Sequence, residues 1–191
     1  FPEPKNIKQI REFCGLTNYF RSHIKNYSLL ASQITALTKK NSGWTEGPLP
    51  PAAKMAFIRL KEALCSAPLL SYPDPDLPFQ LAVDAATGTD ESPGGLGAIL
   101  SQVDAAGTER VISYASRSLK DFEKNYAPFL LEMAAAVWAI DHYHVHLYGG
   151  RKFALITDHK PIEKMSKLHQ KTLNRLQQQM LEYNFVILYR K

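Results

Sequence analysis

The stretch that most constrains this chain runs from Phe79 to Gln102, FQLAVDAATGTDESPGGLGAILSQ. Two short apolar runs, Phe79–Val83 and Leu96–Leu100, flank a segment rich in Gly, Thr, Asp and Pro, the composition of two paired strands with a turn region between them. Asp84 follows Val83 directly, so a carboxylate stands where a buried strand meets solvent. A carboxylate is costly to bury unless it is paired or coordinates a metal. Taken alone, Asp84 reads first as a turn residue accepting backbone N–H bonds. Two further acids change that reading: Glu132 inside a helical pattern and Asp158 at the end of another strand.

The N-terminal third has a different character. Ile7, Ile10, Phe13 and Cys14 recur at helical spacing, followed by Tyr19, Phe20, Ile24, Tyr27, Leu30, Ile34 and Leu37. Gly15 interrupts the pattern, and Lys39-Lys40-Asn41-Ser42-Gly43 supplies a basic last turn and a glycine stop. A further helix is expected over roughly 51–66, with Met55, Phe57, Ile58, Leu60, Ala63 and Leu64 on its apolar side. The periodicity places Tyr19 and Phe20 in the core, and Cys14 and Cys65 as buried thiols of a reducing compartment. Residues 66–78, SAPLLSYPDPDLP, hold four prolines in thirteen positions and form the best domain boundary.

Beyond the strand pair, a third strand is expected at Arg110–Ser116, a helix at Phe129–Leu147 opened by Pro128 and stopped by Gly149-Gly150, and a fourth strand at Phe153–Thr157. Helices over Pro161–Leu168 and Leu173–Tyr183 and a strand over Asn184–Tyr189 complete the order β-β-β-α-β-α-α-β. That order predicts an α/β fold, a mixed sheet with helices on its faces. If strands one and four are parallel neighbours, Asp84 and Asp158 emerge at the same carboxyl edge, where open α/β sheets bind ligands. Glu132 lies one turn inside the helix, on or near its sheet-packing face. Three converging carboxylates repel, and a hard divalent cation, Mg²⁺ or Mn²⁺, relieves the repulsion. Such a site suits phosphodiester hydrolysis with two ions. The competing reading is a set of surface acids.

Charge is unevenly spread. Residues 1–70 carry ten Lys and Arg against four Asp and Glu, whereas residues 71–191 carry thirteen against fourteen. A basic module beside a carboxylate-bearing one suits a polyanion, although a merely soluble basic surface has the same signature. No apolar run approaches the length of a membrane span, and FPEPKNIKQIREF does not have the makeup of a signal peptide, so no membrane partner is expected. His142, His144 and His146 alternate in HYHVH, a spacing that scatters the rings around a helix rather than gathering them on zinc. His159, beside Asp158, reads either as a neighbour of the acids or as a strand-end residue.

Motifs in order along the whole chain resemble the C-terminal part of a reverse transcriptase from Ty3/gypsy-type LTR retrotransposons. Residues 1–70 are similar to the thumb, through REFCGLTNYFR (11–21), the Trp44 segment and the Phe57 to Leu70 run. Residues 71–78 are the linker. Residues 79–191 resemble the ribonuclease H domain, through VDA (83–85), GAILSQ (97–102), SYASRSL (113–119), NYAPFLLEMAAAV (125–137), LYGGRKF (147–153), TDHKPIEKM (157–165) and LNRLQQQMLEYNFVILYRK (173–191). The resemblance implies a ribonuclease H-like mixed five-stranded sheet with flanking helices, preceded by a small helical thumb module. It also implies that Asp84, Glu132 and Asp158 are catalytic and bind two Mg²⁺ or Mn²⁺ ions. The reaction would be cleavage of the RNA strand of an RNA–DNA hybrid, leaving a 3′-hydroxyl and a 5′-phosphate. Arg117, Asn125, Tyr126 and Arg175 in the nuclease-like part, and Gly15, Asn18 and Arg21 in the thumb-like part, are the expected nucleic-acid contacts, with a solvated polar face or helix packing as the plainer explanation. The implied partners are the hybrid or template–primer and the fingers–palm remainder of the enzyme, with dimerisation open. The implied setting is intracellular and cytoplasmic, in a virus-like particle or replication complex.

Three departures stand out. The family pattern continues past Lys191, with its last helix, to a fourth metal-binding Asp. The loop TGTDESPGG (87–95) has the length found in bacterial and other cellular ribonucleases H rather than the shorter one usual in these elements. Leu130 stands where an acid is usual two residues before the catalytic Glu. The alternative reading is therefore a non-catalytic ribonuclease H-like module that clamps template–primer or mediates subunit contacts. The paired-Asp polymerase motif is not in these residues.

Overall fold

A computed structural model of the chain describes residues 1–66, 70–89, 94–158 and 178–190. Its N-terminal part is a helical unit of α1 (Ile7–Tyr19), α2 (Tyr27–Ala36) and α3 (Pro51–Cys65). The Asn6 side chain caps α1 by accepting from the Gln9 amide at 3.0 Å, and Pro51 opens α3 at a position whose N–H has no helical partner to lose. A one-turn 3₁₀ segment, Arg21–His23, separates α1 from α2 and turns the chain. The unit closes around Ile10, Phe13, Ile34, Phe57 and Leu60, with the Thr17 and Tyr27 hydroxyls 3.0 Å apart inside it.

Five strands follow: β1 (Phe79–Ala86), β2 (Gly95–Val103), β3 (Glu109–Ser118), β4 (Phe153–Thr157) and β5 (Phe185–Tyr189). They form one mixed sheet in the order β3-β2-β1-β4-β5. β2 runs antiparallel to β1 and β3, while β4 is parallel to β1 and β5 to β4. Between β3 and β4 lie α4 (Pro128–His142) and the short α5 (His144–Leu147). The single helix expected to Leu147 is thus broken at Tyr143. That residue turns inward, buries its ring and donates its hydroxyl to the Ser113 carbonyl at 3.1 Å. The helix expected at 161–168, and most of the one expected at 173–183, lie outside the described residues.

The two faces of the sheet are used differently. Leu81, Val83, Leu96, Ala98, Leu100 and Leu155 face α4 and make the larger core with Ala135, Ala139 and Ile140. The next residues along each strand, Ala82, Asp84, Gly97 and Ile156, point the other way. There the helical unit docks. The Arg21 Nη2 donates to the Ser116 carbonyl at 2.7 Å, the Ser28 amide donates to Ser116 Oγ at 2.9 Å, and Leu29 lies over Gly95. Two expectations are corrected here. Tyr19 is 81% exposed and Phe20 38%, because both stand at the C-terminal end of α1, past the face that buries Ile10, Phe13 and Thr17. Cys65, the last residue of α3, is exposed, and Cys14 is half-buried. Among the described residues no helix is long and apolar enough to cross a membrane.

Candidate active site

β1 and β4 lie side by side and parallel, with Ala82 opposite Ile156. Two residues further on, Asp84 and Asp158 therefore leave the sheet at the same carboxyl edge and on the same face. Both are exposed. They line a cavity of about 280 Å³ with Gly97 of β2, Lys25 and Asn26 of the helical unit, and Arg190 just beyond β5. The third acid comes from the other side of the sheet. Glu132, in the second turn of α4, is 6% exposed, and its Oε1 accepts from the Ala85 amide at 3.2 Å. Burial, reinforced by the negative charges of Asp158 and Asp84, pushes its carboxyl up to about 7.

Glu132 is therefore close enough to both aspartates to feel them, and among the described residues no cation pairs with it. Its Oε2 is buried with no hydrogen-bond partner among the described residues. No three His, Cys, Asp or Glu side chains among the described residues close into a group that could hold a metal. The donor chemistry nevertheless fits a hard divalent cation. All the donors are carboxylate oxygens, one of them is orphaned, and their charges repel.

The other sequence-derived residues fall into distinct settings. Arg117 lies on the α4 face, where it makes a bidentate pair with buried Glu123 at 2.6 and 2.7 Å and stacks over Trp138 at 5.5 Å. Burial pushes the Glu123 carboxyl up, but Arg117 and the Lys120 amide outweigh it and hold the group below the usual carboxylate range. The Arg117 guanidinium is thus engaged inside the protein. Asn125 is exposed, Tyr126 is half-buried with its ring 6.0 Å from that of Phe122, and Arg175 and His159 lie outside the described residues. In the helical unit Gly15 and Asn18 are exposed, and a Cβ on Gly15 would meet nothing within 4 Å, so no neighbouring helix requires that glycine. Arg21 is spent partly on docking. The three histidines diverge: His144 bonds the Tyr183 hydroxyl at 2.7 Å, His146 sits edge-on to Phe79, and His142 packs on Trp138.

Sequence reasoning missed Lys25, Asn26, Glu123 and Arg190. A weak signal existed for Asn26, since Asn tolerates the left-handed conformation it adopts at φ 55°. For Glu123 the signal was an acid six residues after an arginine in an otherwise polar stretch.

Residues 49–155 match the family model described as the RNase H-like domain found in reverse transcriptase. The retrovirus-related Pol polyprotein from transposon opus of Drosophila melanogaster is 35% identical over 199 residues, covering 99% of this chain and 19% of the polyprotein. That from transposon gypsy of the same organism is 36% identical over 171 residues, covering 85% and 16%. The chain thus spans a fifth or less of these relatives. The foamy viral protease-reverse transcriptase dRH in complex with double-stranded DNA superposes over 100% of this chain and 33% of its own, with a TM-score of 0.78 at 18% identity. The foamy viral protease-reverse transcriptase in complex with RNA/DNA hybrid gives 0.72 at 16% identity, over 100% and 25%. At such identities the likeness is one of fold.

Proposed function

The chain belongs to the family of RNase H-like domains found in reverse transcriptases, and from that premise we propose that it is the nuclease part of a retroelement enzyme that cuts the RNA strand of RNA–DNA hybrids. The observation that carries this reading is Glu132: buried, with one oxygen unpartnered among the described residues, and raised in pKa beside Asp84 and Asp158. An acid placed so awkwardly has a use if a cation completes it.

Asp84, Glu132 and Asp158 would hold the divalent ions, Mg²⁺ or Mn²⁺, which when bound would stabilise charge on the phosphoryl oxygens and lower the pKa of water at the scissile phosphate. Asp84 and Asp158, at the exposed sheet edge, face the incoming backbone. Glu132, its Oε1 held by the Ala85 amide, would supply the third carboxylate from the α4 side of the sheet. Lys25 and Arg190 flank the two aspartates and offset their charge for an approaching polyanion. The helical unit grips the nucleic acid, Gly15 permitting close backbone approach beside Asn18. The fingers–palm part of a reverse transcriptase is the proposed partner, and the cytoplasm the proposed setting.

A second reading, a non-catalytic module that clamps template–primer, draws support from the acids not closing into a three-ligand group among the described residues. A labelled RNA–DNA hybrid separates the two. With Mg²⁺ or Mn²⁺ the chain, alone or extended through the family's fourth acid, is expected to release RNA fragments with 3′-hydroxyl and 5′-phosphate ends. Asp84→Asn and chelation of the metal are each expected to stop it. Hybrid binding without cleavage in both forms would leave the clamp.

A further inference from the structure

The two edges of the sheet are finished differently. At β3 the Val111 carbonyl accepts from the Ser71 amide at 2.8 Å and the Ser116 carbonyl from Arg21 at 2.7 Å, so the linker and the helical unit cover that edge. β5 closes the other end of the strand order. Its Asn184 carbonyl accepts from the Phe153 amide, and the Arg190 amide donates to the Thr157 carbonyl. In a parallel ladder alternate residues turn both backbone groups to the neighbour, so the even-numbered residues from 184 to 190 face β4. The N–H and C=O groups of Phe185 and Ile187 therefore point outward, and among the described residues no backbone bond reaches them.

An open edge is ordinarily blunted by lysine, proline, a bulge or a covering segment. Phe185–Tyr189 contains no lysine or proline, and its register with β4 runs without a bulge. Val186 is 38% exposed and Leu188 47%, β-forming and apolar side chains on an unguarded strand. Opposite charges stand at its two ends, Glu182 before it and Arg190 after it, both exposed. A strand with that polarity is complementary to itself run backwards.

We propose that the β5 edge pairs antiparallel with β5 of a second copy of this chain, joining two sheets into one across a two-fold axis. With the axis at Val186, Phe185 of each copy lies opposite Ile187 of the other. The outward groups of these residues then satisfy one another in two hydrogen-bonded pairs, each exchanging both backbone bonds. The two Val186 side chains meet at the axis, and Arg190 of each copy comes to the end of the other strand that carries Glu182. Arg190 can turn to it, because its contact with Glu109 at 3.7 Å is exposed and of little worth. A strand of another protein would satisfy the same backbone groups, but a second copy supplies the matching register and the opposite charges together. The copies run in opposite senses, so their carboxyl edges, with Asp84 and Asp158, lie at opposite ends of the joint sheet. The contact is narrow, and the dimer is expected to be weak and concentration-dependent.

The test is sedimentation equilibrium of the full 191-residue chain, freed of nucleic acid, at low salt over a wide range of concentrations. A reversible monomer–dimer equilibrium is expected. Val186→Lys, at an exposed side chain, sets two like charges at the axis and is expected to leave monomer throughout, with the melting temperature of the dilute chain unchanged. Glu182→Arg or Arg190→Glu alone is expected to weaken the dimer about tenfold, each change acting twice across the axis. The Glu182→Arg/Arg190→Glu combination is expected to restore it. Amide hydrogen exchange identifies the strand: Phe185 and Ile187 should gain protection as concentration rises, while Val186 and Leu188, bonded to β4, are protected throughout. Monomer at every concentration overturns the proposal. So does a dimer that survives Val186→Lys or leaves the Phe185 and Ile187 amides unprotected, since its contact then lies elsewhere. Failure of the charge exchange to restore association overturns the antiparallel pairing.

Discussion

Glu132 is the residue whose chemistry is most out of balance with its surroundings. Its folded pKa of about 7 lies well above the ordinary value of 4.5, through burial first and then the charges of Asp158 and Asp84. The folded state therefore holds a proton across a pH window in which the unfolded chain has released it. Stability from this group is present below about 4.5 and lost as pH rises toward 7. In chelator, the melting temperature is expected to fall between pH 5 and pH 7.5, and Glu132→Gln to flatten that slope. A parent profile already flat across the window would contradict the assignment. Mg²⁺ should raise the melting temperature more at pH 7.5 than at pH 5, since carboxylate ligation requires the proton to leave. At this scale the sequence was informative about placement and silent about environment. Asp84, Glu132 and Asp158 could be read because each stands at a defined point of an element. That one oxygen of Glu132 would be orphaned could not, because it depends on what the fold brings beside it. Tyr19 and Cys65 were misplaced for a related reason: helical periodicity marks an apolar stripe but not which stretch of it a neighbour covers.

The element that delivers Glu132 is held by a contact the periodic pattern does not contain. The connection between β3 and α4 is pinned where Arg117, the last residue but one of β3, meets Glu123, with the Lys120 amide donating to the same carboxylate at 2.7 Å. Glu123 is nearly buried and Arg117 only 21% exposed in its side chain. Breaking such a pair from one side leaves an uncompensated charge, at a cost of about 3 kcal/mol. Glu123→Gln is therefore expected to lower the melting temperature by roughly 6–12 °C for a chain of this size. Arg117→Lys should recover little, because lysine cannot make the bidentate contact or stack as well on Trp138. A loss under about 1 kcal/mol in Glu123→Gln would show the pair to be no more than a surface contact. The strands themselves were largely legible. Phe153–Thr157 was read to the residue, and β1 and β2 came out longer than their apolar runs because pairing continues past the hydrophobic residues into Asp84–Ala86 and Ser101–Val103. The expected single helix to Leu147 failed at Tyr143, whose hydrogen bond to Ser113 is a tertiary contact no local pattern announces.

For the whole molecule, the proline-rich stretch and the charge contrast suggested two modules, but nothing in the sequence indicated how they meet. The contact is made by Arg21, Asn26, Ser28 and Leu29 of the helical unit against Gly95, Gly97 and Ser116 of the sheet, residues distant in the chain. Its tightest point is Gly97, opposite Asp84 in the sheet, where a Cβ would stand 2.8 Å from Asn26 Oδ1. A methyl group there must displace the Asn26 amide from its place between the turn before α2 and the sheet. Gly97→Ala is thus expected to loosen the docking while both cores persist. The direct readout is hydrogen exchange at the Ser28 amide, which is bonded to Ser116 Oγ and should exchange faster, with amides inside α3 unchanged. Hybrid cleavage should fall with it, because the grip of the helical unit and the acids would no longer be in register. Asn26→Gly supplies the control. Glycine accepts the left-handed φ of 55° without strain and removes the group that the new methyl would strike. The Asn26→Gly/Gly97→Ala pair should then recover Ser28 protection relative to Gly97→Ala alone, a non-additivity expected of residues in contact. If Gly97→Ala leaves the Ser28 amide protected, or the double variant recovers nothing, the two modules are not fastened at this point.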